Sequence, residues 1–130
     1  MAKTTISKAL KDLLLDDTLS VDEAVDKHFH PDFRLRNGKE TMGRAEFAQH
    51  MALLRGLVGS GSVNVHQELV DGLRYAEHHT LDGVKKDGGR VTIEVFTFGS
   101  YAEDGRFKRL DEATEMIVGD AADQELTTAR

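Results

Sequence analysis

Glycine-containing turn signals divide the C-terminal half of the chain into four stretches of similar length. Asp71-Gly72, Asp87-Gly88-Gly89 and Asp104-Gly105 stand between these stretches. Such combinations favour the tight turns that join antiparallel strands, because glycine accepts the positive φ that these turns need. The spacing therefore predicts three successive β-hairpins. The four strands are expected at Val63–Val70, Arg74–Val84, Val91–Tyr101 and Phe107–Val118.

Helical periodicity characterises most of the N-terminal half. Apolar residues recur at helical spacing over Thr5–Asp17 and would share one face of a first helix. Ser20 and Glu23 form a capping-box pattern that begins a second helix, and Pro31 is expected to end it. A third helix is predicted over Arg44–Leu57, where apolar residues again lie on one face.

This order of elements predicts one α+β domain. Phe33–Arg36 alternates apolar and basic residues and indicates a short strand that ends at Asn37-Gly38. Helices gathered on one face of an antiparallel sheet bury the apolar sides of both layers. The 130 residues suit a single core. We expect the folded core to span about 5–118, with a polar tail over 119–130.

Composition excludes several functions. The net charge of −6 argues against nucleic-acid or anionic-membrane partners. The chain has no cysteine, which excludes disulfides and thiolate metal sites and suits a cytoplasmic location. No signal peptide and no bilayer-spanning apolar stretch are recognisable. Neighbouring His78 and His79 point to opposite faces of a strand, and His28 and His30 diverge at a helix end, so no metal is expected.

Three stretches of the chain resemble the nuclear transport factor 2-like superfamily, and within it the SnoaL-like branch. Phe29–Phe33 is similar to the family's junction between helix and strand. Ala76–Gly83 resembles a strand that ends in a small residue, and Val95–Phe98 with Asp104–Phe107 resembles the closing hairpin. The resemblance implies a cone-shaped fold in which three N-terminal helices pack on a curved antiparallel sheet around a pocket.

The resemblance implies a range of functions. Members of the superfamily include polyketide cyclases, ketosteroid isomerases, limonene epoxide hydrolases and dehydratases, and others are noncatalytic binding modules. Ketosteroid isomerases place a carboxylate base at the end of the first strand and a tyrosine in the first helix. Here the base position falls near Asn37, which cannot take a proton, and the first helix has no tyrosine. The chain therefore departs from the isomerase pattern.

Alternation along the strands predicts which side chains face the pocket. Without a bulge in the last two hairpins, His79, Glu94 and Asp111 share an otherwise aromatic-rich face. A bulge near Gly99–Gly105 would bring Glu112 into the pocket in place of Asp111. The other residues expected on this face are Tyr75, Glu77, Leu81, Phe96, Phe98, Phe107, Arg109 and Ala113.

These ionisable residues are candidates for acid–base chemistry. Burial in an apolar pocket raises the pKa of a carboxyl, which could then exchange protons near neutral pH. His79 could polarise a carbonyl group or hold a carboxylate in place. The alternative is that His79 and a carboxylate form a purely structural cross-strand pair. The catalytic candidates are His79, Asp111, Glu94 and Glu112, and the ligand-binding candidates are Tyr75, Phe96, Phe98, Phe33, Asn37, Met51 and Tyr101.

Three functions agree with these features of the sequence. The first is a cofactor-independent enzyme of the cyclase, isomerase or dehydratase type that acts on a small apolar or carbonyl-bearing molecule. The second is a noncatalytic module that binds such a molecule, and the third is a dimerisation domain. The opposite sheet face is expected to be partly apolar and to form a homodimer through the sheet. Its expected members include Ala76, Thr80, Ile93, Val95 and Thr97.

Overall fold

The computed structural model describes residues 2–119, in which helices pack on one face of a six-stranded sheet. From residue 120 onward, the predicted polar tail lies outside the described residues. The helices are α1 (Ile6–Leu10, continued by a π-helical turn at Lys11–Leu15), α2 (Val21–His28) and α3 (Arg44–Leu57). The strands are β1 (Phe29–Asn37), β2 (Glu40–Gly43), β3 (Val58–Asp71), β4 (Arg74–Lys85), β5 (Arg90–Tyr101) and β6 (Phe107–Val118). The predicted α+β class is confirmed. None of the described helices is long and apolar enough to cross a membrane.

The capping box begins α2 as predicted, but the helix ends earlier than expected. Ser20 Oγ accepts a hydrogen bond from the backbone N–H of Glu23 at 3.0 Å, and Glu23 Oε1 accepts one from the backbone N–H of Ser20 at 2.9 Å. The last helical residue is His28, and Pro31 lies inside β1. The pairing of β1 with β6 is irregular around this proline, where a residue without an N–H is tolerated.

The sheet has the strand order β2-β1-β6-β5-β4-β3 and stays open. The three predicted hairpins join β3 to β6, and their turns contain Gly72 and Gly88 with φ of +59° and +93°. The last strand then pairs with β1 in parallel, so the sheet is mixed and not purely antiparallel as predicted. The short strand β2, which covers the other edge of β1, was not predicted.

The register between β4 and β5 decides which face each side chain occupies. His79 pairs with Val95 and Glu77 pairs with Thr97, so odd-numbered residues of both strands share a face. This inner face packs against the helices, and Val95 and Thr97 are buried there. The assignment of Ile93, Val95 and Thr97 to the outer face was therefore wrong. Even-numbered residues of β5, which were expected in the pocket, lie on the outer face.

A bulge shifts β6 relative to β5. Tyr101 pairs with Phe107, whereas Ser100 pairs with Arg109, so one extra residue stands in β6. Leu110, Glu112 and Thr114 consequently lie on the inner face with Phe107, and Arg109 and Asp111 point outward. This irregularity is the one that exchanges Asp111 for Glu112 at the inner face.

Phenylalanines from three parts of the chain join the helices to the sheet. Phe29 and Phe33 of β1 lie with ring centroids 4.7 Å apart, and Phe47 of α3 is 5.0 Å from Phe33. Phe107 of β6 completes the cluster at 5.8 Å from Phe29. Edge-to-face contacts of this kind are favourable beyond their buried area. Phe29 and Phe47 of this cluster also line a cavity between the layers.

Candidate ligand-binding and acid–base site

A cavity of about 100 Å³ lies between the helices and the inner face of the sheet. Most of its lining is apolar, and the few polar side chains come from the sheet and from one position of α3. This combination is typical of small-molecule sites. The polar lining residues are Asn37, Glu40, His50, His79, Glu112 and Thr114, and the apolar ones include Ile6, Leu14, Phe47, Met51, Leu54, Leu81 and Val95.

Polar residues form a row across the inner face of the sheet, and Asn37, Glu40 and Glu112 of this row line the cavity. Glu77 is paired with Thr97, Thr97 with Glu112, and Glu112 with Asn37. The row continues on β2, where Asn37 is paired with Glu40. Five neighbouring strands thus place polar side chains at one level of the sheet.

Glu112 is a carboxyl of this row whose proton affinity is altered by its surroundings. Burial raises its pKa from the ordinary value of 4.5 to about 7, the nearby Glu77 charge raises it as well, and His79 opposes the shift. The residue is partly buried, and it lines the cavity. A carboxyl with a pKa near neutrality can donate or accept a proton at physiological pH.

His79 lines the cavity and is held by a glutamate of its own strand. Its Nδ1 lies 2.7 Å from Glu77 Oε1, and the two side chains are 2% and 0% exposed. The second carboxylate oxygen of Glu77 has no hydrogen-bond partner among the described residues. An N–H at Nδ1 that donates to Glu77 fixes the ring orientation and leaves Nε2 as the free nitrogen of the ring.

Two further polar groups of the cavity come from separate walls. Asn37 Nδ2 donates to Thr114 Oγ1 at 3.4 Å, which ties the end of β1 to β6. His50 lies on α3 between Phe47 and Leu54 and is 5% exposed, and burial lowers its pKa. His50 was not predicted as a site residue, although its helical spacing from Phe47 and Leu54 is typical of a position on the buried face.

Four predicted site residues lie on the outer face, away from the cavity. Asp111 pairs with Arg109, with Oδ2 at 3.0 Å from Nε, and Glu94 pairs with His78 at 3.1 Å. Phe96 and Phe98 are 48% and 71% exposed. The prediction that Asp111, Glu94, Phe96 and Phe98 face the pocket was therefore wrong, because of the β4–β5 register and the bulge in β6.

Three further predicted ligand-binding residues belong to the core. Phe33 is part of the phenylalanine cluster, and Tyr75 and Tyr101 pack on Phe107. Tyr75 Oη accepts a hydrogen bond from the backbone N–H of Ile6 at 3.1 Å, and Tyr101 Oη donates to a backbone carbonyl at 2.7 Å. None of the three lines the cavity, whereas the structure places Asn37 and Met51 in its wall.

The described residues offer no ready-made metal site. Within residues 2–119, no group of three or more histidine, aspartate or glutamate side chains could hold a metal ion.

The arrangement of helices on the inner face of an open sheet, with a cavity between the layers, is the fold of the nuclear transport factor 2-like class of proteins. The chain belongs to the SnoaL-like domain family, whose model matches residues 18–110. An uncharacterised protein of Schizosaccharomyces pombe is 33% identical over 97 residues, which cover 74% of this chain and 73% of that protein. The resemblance to this family is thereby confirmed.

Solved structures show the same fold. An LEH-like epoxide hydrolase from M. tuberculosis is 20% identical, with a TM-score of 0.64 over 82% of this chain and 77% of that one. A hypothetical protein of Catenulispora acidiphila with a ketosteroid isomerase-like fold, solved with trimethylamine, is 12% identical, with a TM-score of 0.64 over 86% and 85% of the two chains. The family includes cyclases, hydrolases and isomerases.

Proposed function

We propose that this protein binds a small, mostly apolar, uncharged molecule in the cavity and catalyses a cofactor-independent proton transfer on it. The observation that carries the proposal is Glu112, a carboxyl of pKa about 7 that lines an otherwise apolar cavity. An acid–base group is most effective when its pKa lies near the working pH. Glu112 is accordingly the proposed catalytic residue.

The neighbours of Glu112 support this role. The Glu77 carboxylate disfavours a second negative charge nearby, so it helps to keep Glu112 protonated in the resting protein. Glu77 also holds His79 at 2.7 Å, and the histidine lines the same cavity. When it carries a proton on both ring nitrogens, an imidazole held at Nδ1 by Glu77 donates from Nε2 to a carbonyl oxygen, while Glu112 moves a proton at the adjacent carbon.

The cavity walls favour an uncharged ligand. In the described part of the chain, no lysine or arginine side chain lines the cavity, so no fixed positive charge is present to bind an anion. The predominance of aliphatic and aromatic side chains selects an apolar skeleton. A small ketone therefore has the required chemistry, since its carbonyl group acidifies the neighbouring C–H bond.

Hydrogen exchange of a small ketone tests this proposal without knowledge of the natural substrate. Cyclopentanone is incubated with the protein in D₂O, and loss of its α-proton signals is followed by ¹H NMR. Glu112 takes the α-proton and an enolate forms, and the carboxyl then exchanges its proton with D₂O and returns a deuteron to the carbon. The rate is expected to rise with pH through about 7, as Glu112 loses its proton. Glu112→Gln should reduce the enzymatic rate at least about 100-fold.

Asp111→Asn is the matched control, since Asp111 is the preceding residue on the same strand and points to the opposite face. This variant should exchange at the wild-type rate. Equal rates in the Glu112→Gln and wild-type proteins would contradict the catalytic role. Saturable binding of ketones without any exchange would instead indicate the second function considered from the sequence, a noncatalytic binding module.

We also propose that the protein forms a homodimer through the outer face of the sheet. Leu69, Phe96 and Phe98 are 68%, 48% and 71% exposed. Phe98 pairs with Ala76, which in turn pairs with Leu69, so apolar residues of three strands adjoin on this face. Exposed apolar patches of this kind commonly mark contact surfaces.

Sedimentation velocity at micromolar concentration tests the dimer. The wild-type protein should sediment as a dimer and Phe98→Ser as a folded monomer. Lys11→Ser, an exposed substitution on the helical side, should leave the dimer intact. A monomeric wild-type protein under these conditions would rule out the proposed interface.

A further inference from the structure

His50 stands out as a buried polar side chain whose hydrogen bonding is incomplete. It is 5% exposed and lines the cavity from α3. Its Nδ1 atom is buried and has no hydrogen-bond partner among the residues that the structure describes. Its neighbours on the same helix face, Phe47, Met51 and Leu54, are all apolar. Buried nitrogen atoms of this kind are nearly always paired in folded proteins, so this exception needs an explanation.

Packing alone does not explain a histidine at this position. Leucine or methionine would fill similar space on the helix without burying an unpaired nitrogen. A second buried histidine in the same molecule shows the usual arrangement. His28 has Asp12 Oδ2 at 2.6 Å from its Nε2 and Thr4 Oγ1 beside its Nδ1. His50 differs from His28 because it lines the cavity.

We propose that His50 is the ligand-positioning residue of the helical wall, and that it hydrogen-bonds a hydroxyl or carbonyl oxygen of the bound molecule. The inference rests on the proposed small-ligand function and adds a second recognition point to it. Glu112 and His79 contact the ligand from the sheet, and His50 contacts it from the opposite layer. The ligand class becomes a compact apolar molecule that bears an oxygen on its helix-facing side.

The protonation state of His50 agrees with this chemistry. Burial lowers its pKa, which keeps the imidazole neutral at neutral pH. A neutral imidazole has one N–H donor and one acceptor nitrogen. A hydroxyl group can pair with either nitrogen, whereas an aliphatic or halogenated group of the same size gains nothing from the contact.

Phenol and toluene form a matched pair of probes, since they have similar shape and differ in a hydroxyl against a methyl group. Their dissociation constants are measured by NMR titration for the wild type, His50→Leu and His50→Gln. The wild-type protein should bind phenol roughly 5- to 10-fold more tightly than toluene, the effect of one net hydrogen bond. His50→Leu should reduce this preference to about twofold or less with an equal or higher Tm. His50→Gln should restore part of it.

Two controls identify the residue responsible. His30→Leu replaces a surface histidine of β1 and should leave the preference for phenol unchanged. In protein labelled with ¹⁵N-histidine, the ring nitrogens of His50 should shift on addition of phenol and stay nearly in place on addition of toluene. This spectroscopic readout remains available if a variant folds poorly.

The possible failures are distinguishable. If both probes bind and His50→Leu keeps the wild-type preference for phenol, the role of His50 is wrong and the proposed cavity function stands. Equal loss of affinity for both probes, with a lower Tm, would show that His50 has only a packing role. If neither probe binds the wild-type protein, the small-ligand function fails, and the role of His50 fails with it.

Discussion

The two faces of the central sheet carry the same chemistry in different surroundings. On the inner face, His79 and Glu77 lie 2.7 Å apart with side chains 2% and 0% exposed. On the outer face, His78 and Glu94 lie 3.1 Å apart with side chains 24% and 31% exposed. The two histidines are neighbours in sequence, so strand alternation alone assigns one to the cavity and the other to solvent.

Burial changes what each histidine–carboxylate pair contributes to the stability of the fold. The outer pair stays partly hydrated, so it loses little water when it forms. The His78 ring of this pair stacks on Phe96. The inner pair is fully desolvated, and one oxygen of Glu77 lacks a hydrogen-bond partner within the described chain. Desolvation of such a pair can outweigh its attraction. The inner pair is therefore better explained by its position at the cavity than by a contribution to stability.

Removal of one histidine at a time gives the largest expected contrast between the faces. His79→Ala leaves the buried Glu77 without its partner and should lower the free energy of unfolding by about 3–5 kcal/mol. His78→Ala on the outer face should cost less than about 1 kcal/mol. Urea unfolding followed by circular dichroism at pH 7 measures both values.

A third variant separates charge from packing. Glu77→Gln keeps an oxygen that accepts the N–H of His79 and removes the buried charge, so its loss should be smaller than that of His79→Ala. Equal losses for His78→Ala and His79→Ala would show that burial does not distinguish the two faces.

The difference between the two faces also shows which features of the structure could be predicted from the sequence. Turn residues and helix caps act locally, so the hairpins and the beginning of α2 were predicted well. The face of Phe96 or Asp111 depends on strand register, and one bulge or one residue in a turn reverses it. The strand ends near Asp87-Gly88-Gly89 could be aligned in more than one way, and the extra residue of β6 leaves no sequence signal. His50 was missed because an isolated histidine on an apolar helix face resembles an ordinary core residue.

The pH dependence of stability compares Glu112 on the inner face with Asp111 on the outer face. Its expected effect is smaller than that of removing His79. The folded protein holds the Glu112 proton up to about pH 7, whereas the unfolded chain releases it near 4.5. Between these values the folded state binds more protons, so the stability that Glu112 contributes is complete below pH 4.5 and is lost as pH rises through 7. Glu112→Gln removes this dependence, and at pH 8 it should be more stable than wild type by at most about 3 kcal/mol.

Asp111→Asn provides the comparison on the outer face. The Asp111 side chain is 40% exposed and its Oδ2 lies 3.0 Å from Arg109 Nε, so its removal should cost less than about 1 kcal/mol at pH 8. Urea unfolding at pH 5 and pH 8 measures the free energy of unfolding of both variants and the wild type. The gain in stability of Glu112→Gln over the wild type should be larger at pH 8 than at pH 5. Asp111→Asn should be no more stable than the wild type at either pH. An equal advantage of Glu112→Gln at both pH values would show that Glu112 does not titrate near neutrality, and the acid–base role would lose its physical basis.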